Sequence, residues 1–218
     1  MNRCLKFIIK GKYGRFRRPY TTTSALSYSV IPPPQAKSIL AAYLGIDRKY
    51  LYETIKNWKI AVEINNTIKK DTQSFNLTSN KGGLFRFPSN IEFLRDLNYT
   101  IYLYSQDKIP EFPKEPVFTP YLGCSEFICQ IKVEKLLEFK AISDLQVETK
   151  SIIPVEQFTI IDIETSGQIF TDTIPVEINA QREYIKYVKV FYPSKGQVLK
   201  GTVKEIFKTE EGNTIYFF

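Results

Sequence analysis

The alternation of apolar and polar positions predicts a chain built mainly from short strands. Apolar side chains recur at every second position over 4–10, 58–64, 98–105 and 127–133, a period typical of half-buried strands. Between the first two strands, apolar residues over 36–44 follow the spacing of one helical face, after three prolines and before a glycine. The order strand, helix, strand, strand, strand predicts an α+β fold with a ferredoxin-like layout whose second helix is reduced or lost.

Two further stretches complete the predicted organisation. A polar segment at about 65–98, with only short apolar patches, separates the second and third strands and is longer than an ordinary connection. After residue 138, short apolar runs alternate with turn residues. We therefore predict a ferredoxin-like domain at 1–137, with an insertion at about 65–98, and a small β-rich region at 138–218.

Composition excludes several kinds of catalysis. The chain has no histidine, which removes Ser-His-Asp and Cys-His nucleophiles and histidine-ligated zinc. Its three cysteines are too few for a disulfide framework, and we find no phosphate-binding glycine motif or spaced carboxylate cluster. We expect no metal, no cofactor, no membrane span and no signal peptide, and a reducing, cytoplasmic setting.

The charge of the chain is concentrated near its start. Residues 1–46 carry eight lysines and arginines and no carboxylate, whereas the whole chain has a net charge of +7. The other 172 residues therefore sum to −1. A local excess of positive charge indicates an anionic partner rather than general solubility.

The segment GKYGRFRRPYTTTSALSYSVIPPP, residues 11–34, interleaves these cations with aromatic and hydroxyl side chains. Lysine and arginine neutralise phosphates, tyrosine stacks on unpaired bases, and short hydroxyls donate to phosphate or ribose. The alternative is a solvated or membrane-surface loop, but the segment contains proline and has no amphipathic helical pattern. The predicted RNA-binding residues are Lys10, Lys12, Tyr13, Arg15, Arg17, Arg18, Tyr20, Thr21, Thr22, Thr23, Ser24, Tyr28 and Lys37. No acidic residue lies near the arginines in sequence, and Lys37 is expected to face away from the apolar stripe of its helix.

The same segment resembles the N-terminal signature of the Cas-five family of CRISPR-associated proteins, members of the RAMP superfamily. The matching positions are Gly11, Phe16, Arg17, Thr21 to Ser24, Tyr28, Pro32, Leu44 and Gly45. PYLGCSEF at 120–127 resembles a second family segment and adds Gly123 and Ser125 as residues that bring the backbone close to RNA. The resemblance is dense over 7–45 and is not visible beyond about residue 138.

This resemblance implies a subunit of a type I CRISPR effector (Cascade). The sequence of the basic segment, residues 11–34, favours subtype I-B. Such a subunit holds the 5′ handle of the crRNA and contacts the backbone and large subunits, so that target DNA is reached only through the complex. The insertion at 65–98 would be a thumb hairpin. Its candidate contacts are Lys69, Lys70, Lys81 and Arg86.

The remaining alternatives differ in whether the protein cleaves RNA. One branch of the resembled family is itself an RNA-processing nuclease that uses tyrosine, lysine and histidine, and this chain lacks the histidine. We therefore predict a non-catalytic subunit. The alternatives are a metal-independent endoribonuclease in which tyrosine and lysine suffice, and a single-strand-binding protein outside any CRISPR complex.

Overall fold

The computed structural model describes residues 2–21, 25–79, 85–194 and 197–218, with the backbone alone at residues 79 and 85. Most of this part of the chain is antiparallel strand. The strands are β1 (Asn2–Gly14), β2 (Trp58–Ile64), β3 (Lys69–Ser79), β4 (Phe85–Ser105), β5 (Cys129–Thr149), β6 (Ile153–Pro154), β7 (Phe158–Ile161), β8 (Ile169–Ile178), β9 (Tyr184–Pro193), β10 (Leu199–Thr209) and β11 (Thr214–Ile215). The helices are α1 (Pro33–Tyr43), α2 (Leu51–Ile55) and α3 (Ile163–Ser166). The described part of the chain is thus richer in strand than the expected α+β class.

One large sheet organises the molecule. Its strands run in the order β11-β10-β5-β1-β4-β2, with β3 paired to the outer half of β4 and β7 to β10. A smaller sheet has the order β6-β9-β8. The backbones of Ile60 in β2 and Phe218 after β11 exchange hydrogen bonds of 3.2 and 3.0 Å, so the two ends of the large sheet meet.

Two apolar clusters fill the faces of this sheet. Phe7 and Ile9 of β1 are fully buried in the larger cluster, beneath α1. Cys4 and Tyr102 belong to a second cluster, which the C-terminal Phe217 helps to cover. The alternation read from the sequence therefore sends successive side chains of the central strands to two buried faces, and both contribute to stability.

Helix α1 begins and ends as its sequence predicts. Proline occupies the first helical turn, and Gly45 follows the helix with a φ of +76°. A Cβ at this position would lie 2.5 Å from Val117 Cγ1, so both conformation and space favour glycine. No helix of the described residues has the length and apolarity that crossing a membrane requires.

The C-terminal strands extend the large sheet. The predicted division between residues 137 and 138 falls within β5, whose far half pairs with β10 from Phe139 to Thr149. Ile174 and Val190 of the smaller sheet are buried in the same cluster as Phe7. The domain division remains a prediction, but both regions contribute strands to the large sheet and residues to the larger apolar cluster.

The segment at 65–98 forms a hairpin from β3 and the outer half of β4. Its base differs from expectation, because Leu94 and Leu97 are buried in the main core and Leu94 pairs with Gly14 of β1. The outer part, beyond Gln73 and Ile91, is largely exposed. Only this outer part projects from the fold.

Two deletions of different length should distinguish the contribution of the hairpin's base to stability from that of its outer part. Ser74 and Asn90 are directly opposite, so replacing 75–89 by Asn-Gly closes the strands with a two-residue turn. We expect the free energy of unfolding to change by less than about 1 kcal/mol, because those deleted side chains that the structure describes are largely exposed. Replacing 67–95 also removes Leu94 and should cost at least about 3 kcal/mol. Urea denaturation of both variants checks this, and equal stabilities would contradict the assignment of the base to the core.

Candidate nucleic-acid interface

The basic segment starts on a strand. β1 continues beyond the predicted end at residue 10 to Gly14, because it pairs with β4 on one edge and β5 on the other. Lys12 and Tyr13 therefore lie on a rigid strand. The irregular part of the segment begins at Arg15, whose N–H donates to the carbonyl of Leu122 at 2.9 Å.

A cleft opens between the end of β1, the β3–β4 hairpin and the 121–128 segment. We call it the aromatic cleft. Its volume is about 460 Å³, and it is lined by Tyr13, Arg15, Gln73, Phe75, Ile91, Phe93, Cys124, Glu126 and Phe127. The Tyr13 ring centroid lies 5.6 Å from that of Phe93, edge to face, and 6.0 Å from that of Phe127. Aromatic walls of this kind suit a flat, unsaturated ligand such as a nucleobase.

Arg15 adds a polar group to this wall. Its Nε is buried and makes no hydrogen bond with any described residue. A buried donor without a partner costs free energy, and a ligand acceptor that drew this side chain toward the aromatic cleft would recover it. Arg15 is therefore a candidate for a ligand contact.

Two cations flank in sequence the residues of the basic segment that line the aromatic cleft, Lys12 before Tyr13 and Arg17 after Arg15. Lys10 lines a different groove, beside β5. Lys10, Lys12 and Arg17 are exposed, and none of them makes an ion pair with a residue that the structure describes. The Lys12 ammonium lies 5.6 Å from the centre of the Tyr13 ring. Unpaired surface cations beside an aromatic surface are suited to a phosphate backbone whose bases stack.

Gly123 holds the 121–128 segment against the basic segment. It has a φ of +87°, and a Cβ there would lie 1.8 Å from the carbonyl oxygen of Arg15. Only glycine permits this approach. Ser125 is exposed in the same segment, whose Cys124 and Glu126 line the aromatic cleft. Gly123 thus has a structural role here, and a contact of either residue with RNA stays a prediction.

Arg18 differs from the sequence-based expectation, because an acid does pair with it. Its guanidinium lies 2.6 Å from the Asp172 carboxylate of β8, 154 positions later, and donates to the carbonyl of Ser27 at 3.2 Å. It also lies 4.8 Å from the centre of the Tyr28 ring and donates to the Tyr20 hydroxyl at 3.0 Å. Arg18 therefore fixes the basic segment to the smaller sheet, while the Tyr20 ring remains 60% exposed.

Two predicted contact residues are buried. Tyr28 is 0% exposed, so its ring is not available for stacking. Lys37 is 9% exposed, contrary to the expected outward orientation, and burial lowers the pKa of its ammonium to about 8. Direct contact of either side chain with RNA does not fit this structure. Thr21 is partly buried and donates to the carbonyl of Arg18, whereas Thr22, Thr23 and Ser24 lie outside the described residues.

The cations of the hairpin are mostly paired. Lys69 lies 2.9 Å from Asp96 and Lys70 lies 3.1 Å from Glu92, both in exposed pairs that contribute little to stability. Arg86 is exposed, and Lys81 lies outside the described residues. Any RNA contact of these side chains stays a prediction.

Sequence reasoning missed three aromatic residues of the aromatic cleft, Phe75, Phe93 and Phe127. Phe75 is 42% exposed on the hairpin, where Leu77, two positions along the same strand, is also exposed. The sequence signal for these residues is an apolar side chain at every second position, within a segment whose overall composition is polar. That alternation gives the hairpin one apolar face, which leads into the aromatic cleft.

Metal-type chemistry has no candidate among the described residues, which contain no group of three or more histidine, cysteine or acidic side chains. Burial raises the pKa of the Cys129 thiol to about 12, so this thiol is protonated and inert. The described part of the aromatic cleft thus offers stacking surfaces and hydrogen-bond donors, with one cation, Arg15, and one carboxylate, Glu126, in its lining.

Comparison with known proteins gives the fold and the family. The fold is similar to that of a CRISPR protein from Archaeoglobus fulgidus, with a TM-score of 0.64 at 12% identity over 98% of both chains. A chain of a CRISPR RNA-guided surveillance complex gives a TM-score of 0.52 at 11% identity, over 89% of this chain and 91% of that one. A chain of a Type III-B Cmr-beta complex bound to cognate target RNA gives 0.50 at 12% identity, over 89% and 86%.

One match among the sequence comparisons establishes the family. No curated protein matches the chain. The family model described as CRISPR-associated protein (Cas_Cas5) matches residues 4–184, well beyond the segments at 7–45 and 120–127 that carried the resemblance. The expected family is thereby confirmed: the chain belongs to the Cas5 family of CRISPR-associated proteins.

Proposed function

We propose that this protein is a non-catalytic subunit of a type I CRISPR effector complex that binds the 5′ handle of the crRNA. Membership of the Cas5 family supports a role with crRNA in an effector. The observation that carries the proposal is the aromatic cleft, in which Tyr13 and Phe127 face a ligand space next to Lys12 and Arg17, neither of which has a described ion-pair partner.

The chemistry of the aromatic cleft assigns separate roles to its residues. An unstacked base of the handle enters the aromatic cleft and stacks against the wall formed by Tyr13 and Phe127, where stacking contributes about 1–3 kcal/mol per base. The Arg15 guanidinium, whose side chain lines the aromatic cleft, donates to an acceptor on that base. Lys12 and Arg17 neutralise the flanking phosphates. The ion pair of Arg18 with Asp172 keeps the basic segment in place for binding.

The arrangement of the strands supports the finer reading of the fold. Four strands in the antiparallel order β5-β1-β4-β2, with α1 between β1 and β2 in sequence, correspond to a ferredoxin-like core whose second helix is absent between Ser105 and Cys129. The β3–β4 hairpin then occupies the position of a thumb, and we propose that it contacts the neighbouring backbone subunit. The large subunit is the proposed second neighbour.

The same proposal predicts binding without cleavage. The chain offers no imidazole for acid–base catalysis, so repeat RNA should remain intact in magnesium and in EDTA. Three cations at the handle, Lys12, Arg15 and Arg17, should give a slope of about −2 for the logarithm of affinity against the logarithm of salt concentration. Labelled repeat RNA on a denaturing gel, with filter binding in parallel, measures both. A specific product that Tyr13→Phe abolishes would instead support the metal-independent endoribonuclease.

A further inference from the structure

The edge of β5 that faces away from β1 is paired at both ends and open between them. At one end, the N–H of Cys129 donates to the carbonyl of Pro120 at 3.0 Å. At the other, the carbonyl of Glu138 accepts from the N–H of Glu210 at 2.9 Å. Between these two contacts, no described residue pairs with the outer edge of the strand.

The register with β1 shows which backbone groups are free. Cys129 lies opposite Gly11 and directs its N–H outward, so residues of the same parity do so as well. These are Ile131 and Val133. The register shift that follows brings Leu136 into the outward set, which agrees with the outward carbonyl of Glu138. Three residues therefore present unpaired N–H and C=O groups along one edge.

A groove of about 660 Å³ runs beside this open edge, and we call it the β5 groove. It is lined by Ile8, Lys10, Tyr43, Phe112, Pro113, Lys114, Gln130, Ile131, Lys132 and Val133. Phe112 forms its far wall and is held by an edge-to-face contact of 4.7 Å with Phe7. The lining contains three lysines and no carboxylate. The ion-pair partner of Lys132, Glu134 at 2.8 Å, lies outside it.

We propose that the β5 groove binds an extended acidic segment of a protein partner, which adds to the β5 edge as one more strand. The free N–H and C=O groups supply main-chain hydrogen bonds, as in other strand-addition complexes. Ile131, Val133 and Phe112 accept apolar side chains, and Lys114 and Lys132 attract carboxylates. RNA fits less well, because it cannot complete a β-ladder and gains little from an apolar wall.

The size of the opening limits the length of the added strand. The open edge spans residues 130–137, between the contacts at Cys129 and Glu138. At roughly 3.3 Å per residue, it accommodates a strand of about five to seven residues. A blocked hexapeptide of alternating valine and glutamate, labelled with fluorescein, is therefore a suitable probe.

Fluorescence anisotropy with the full-length chain tests the proposal. The valine–glutamate peptide should bind, and a matched valine–lysine peptide should bind about tenfold more weakly or less. N-methylation at alternate positions should abolish binding in one of the two possible registers and leave it unchanged in the other, because only one set of peptide N–H groups faces the edge. Equal loss in both registers, or no binding of the acidic peptide at millimolar concentration, would overturn the proposal.

A protein variant separates this surface from the RNA site. Lys114→Glu with Lys132→Glu should weaken peptide binding about tenfold, whereas affinity for handle RNA should fall only a few-fold through the change in net charge. Hydrogen exchange at Ile131 and Val133 should slow when the peptide is bound, while Gln130 and Lys132, already bonded to β1, should not change. Competition by handle RNA, or protection of these amides by self-association without peptide, would assign the edge to a different occupant.

Discussion

Replacing Lys12 and Arg17 by glutamate should weaken binding of crRNA handle about a hundredfold at moderate salt, because two phosphate contacts are lost and two repulsions are gained. Both side chains are exposed and neither makes an ion pair with a described residue, so the fold should be unaffected. Anisotropy titration with labelled handle RNA measures the affinity. Thermal unfolding in parallel should show an unchanged midpoint.

The matched control is the pair Lys140→Glu and Lys208→Glu. These lysines are exposed and lie directly opposite each other on β5 and β10, in the C-terminal part of the large sheet. The control changes the net charge by the same amount but leaves the aromatic cleft intact. Its affinity should fall only a few-fold, through long-range electrostatics. Equal losses in the two double variants would show that RNA responds to net charge rather than to this site.

The substitution Gly123→Ala should destabilise the protein by about 3 kcal/mol and also reduce RNA affinity. The added Cβ would lie 1.8 Å from the carbonyl oxygen of Arg15, so one of two backbone segments must move. Both segments line the aromatic cleft. Arg15 would therefore be displaced from the wall that it shares with Tyr13 and Phe127.

Gly212 provides the control for this substitution. Its φ of +86° is nearly the same, but a Cβ there would meet nothing within 4 Å. Gly212→Ala should therefore cost only the conformational term, about 1 kcal/mol, and leave RNA binding unchanged. Urea denaturation and RNA titration of both variants distinguish the two effects. Similar costs at both positions would mean that the 121–128 segment adjusts freely and does not position Arg15.

The elements that were predicted from the sequence depend on local signals. Helix α1 was predicted from three prolines, an apolar stripe and Gly45, all within a few turns of one another. The ion pair between Arg18 and Asp172 had no such signal. It joins residues 154 positions apart and exists only because β8 packs beside α1. An acid that is absent near an arginine in sequence is therefore weak evidence for a free charge.

The aromatic cleft shows the same limit. Tyr13 and Arg15 were predicted because their segment is unusually basic and aromatic, whereas Phe93 and Phe127 belong to segments with no excess of charge. Their contribution depends on pairing between β1 and β4 and on the contact between Arg15 and Leu122. Tyr28 was predicted on the same grounds as Tyr13, but it points into the core. The sequence pattern of the basic segment indicates where the site lies, whereas tertiary packing determines which side chains line the aromatic cleft.

Photocrosslinking tests the central claim most directly. The full chain would be bound to synthetic crRNA that carries 4-thiouridine either in the 5′ handle or near the 3′ end, and crosslinked peptides would be identified by mass spectrometry. We expect crosslinks from the handle label to concentrate in residues 10–20 and 121–128, the segments that flank and line the aromatic cleft. RNA labelled near its 3′ end should give no crosslinks in these segments. Handle crosslinks that instead map to β10, or that are equally strong from both positions, would contradict the account.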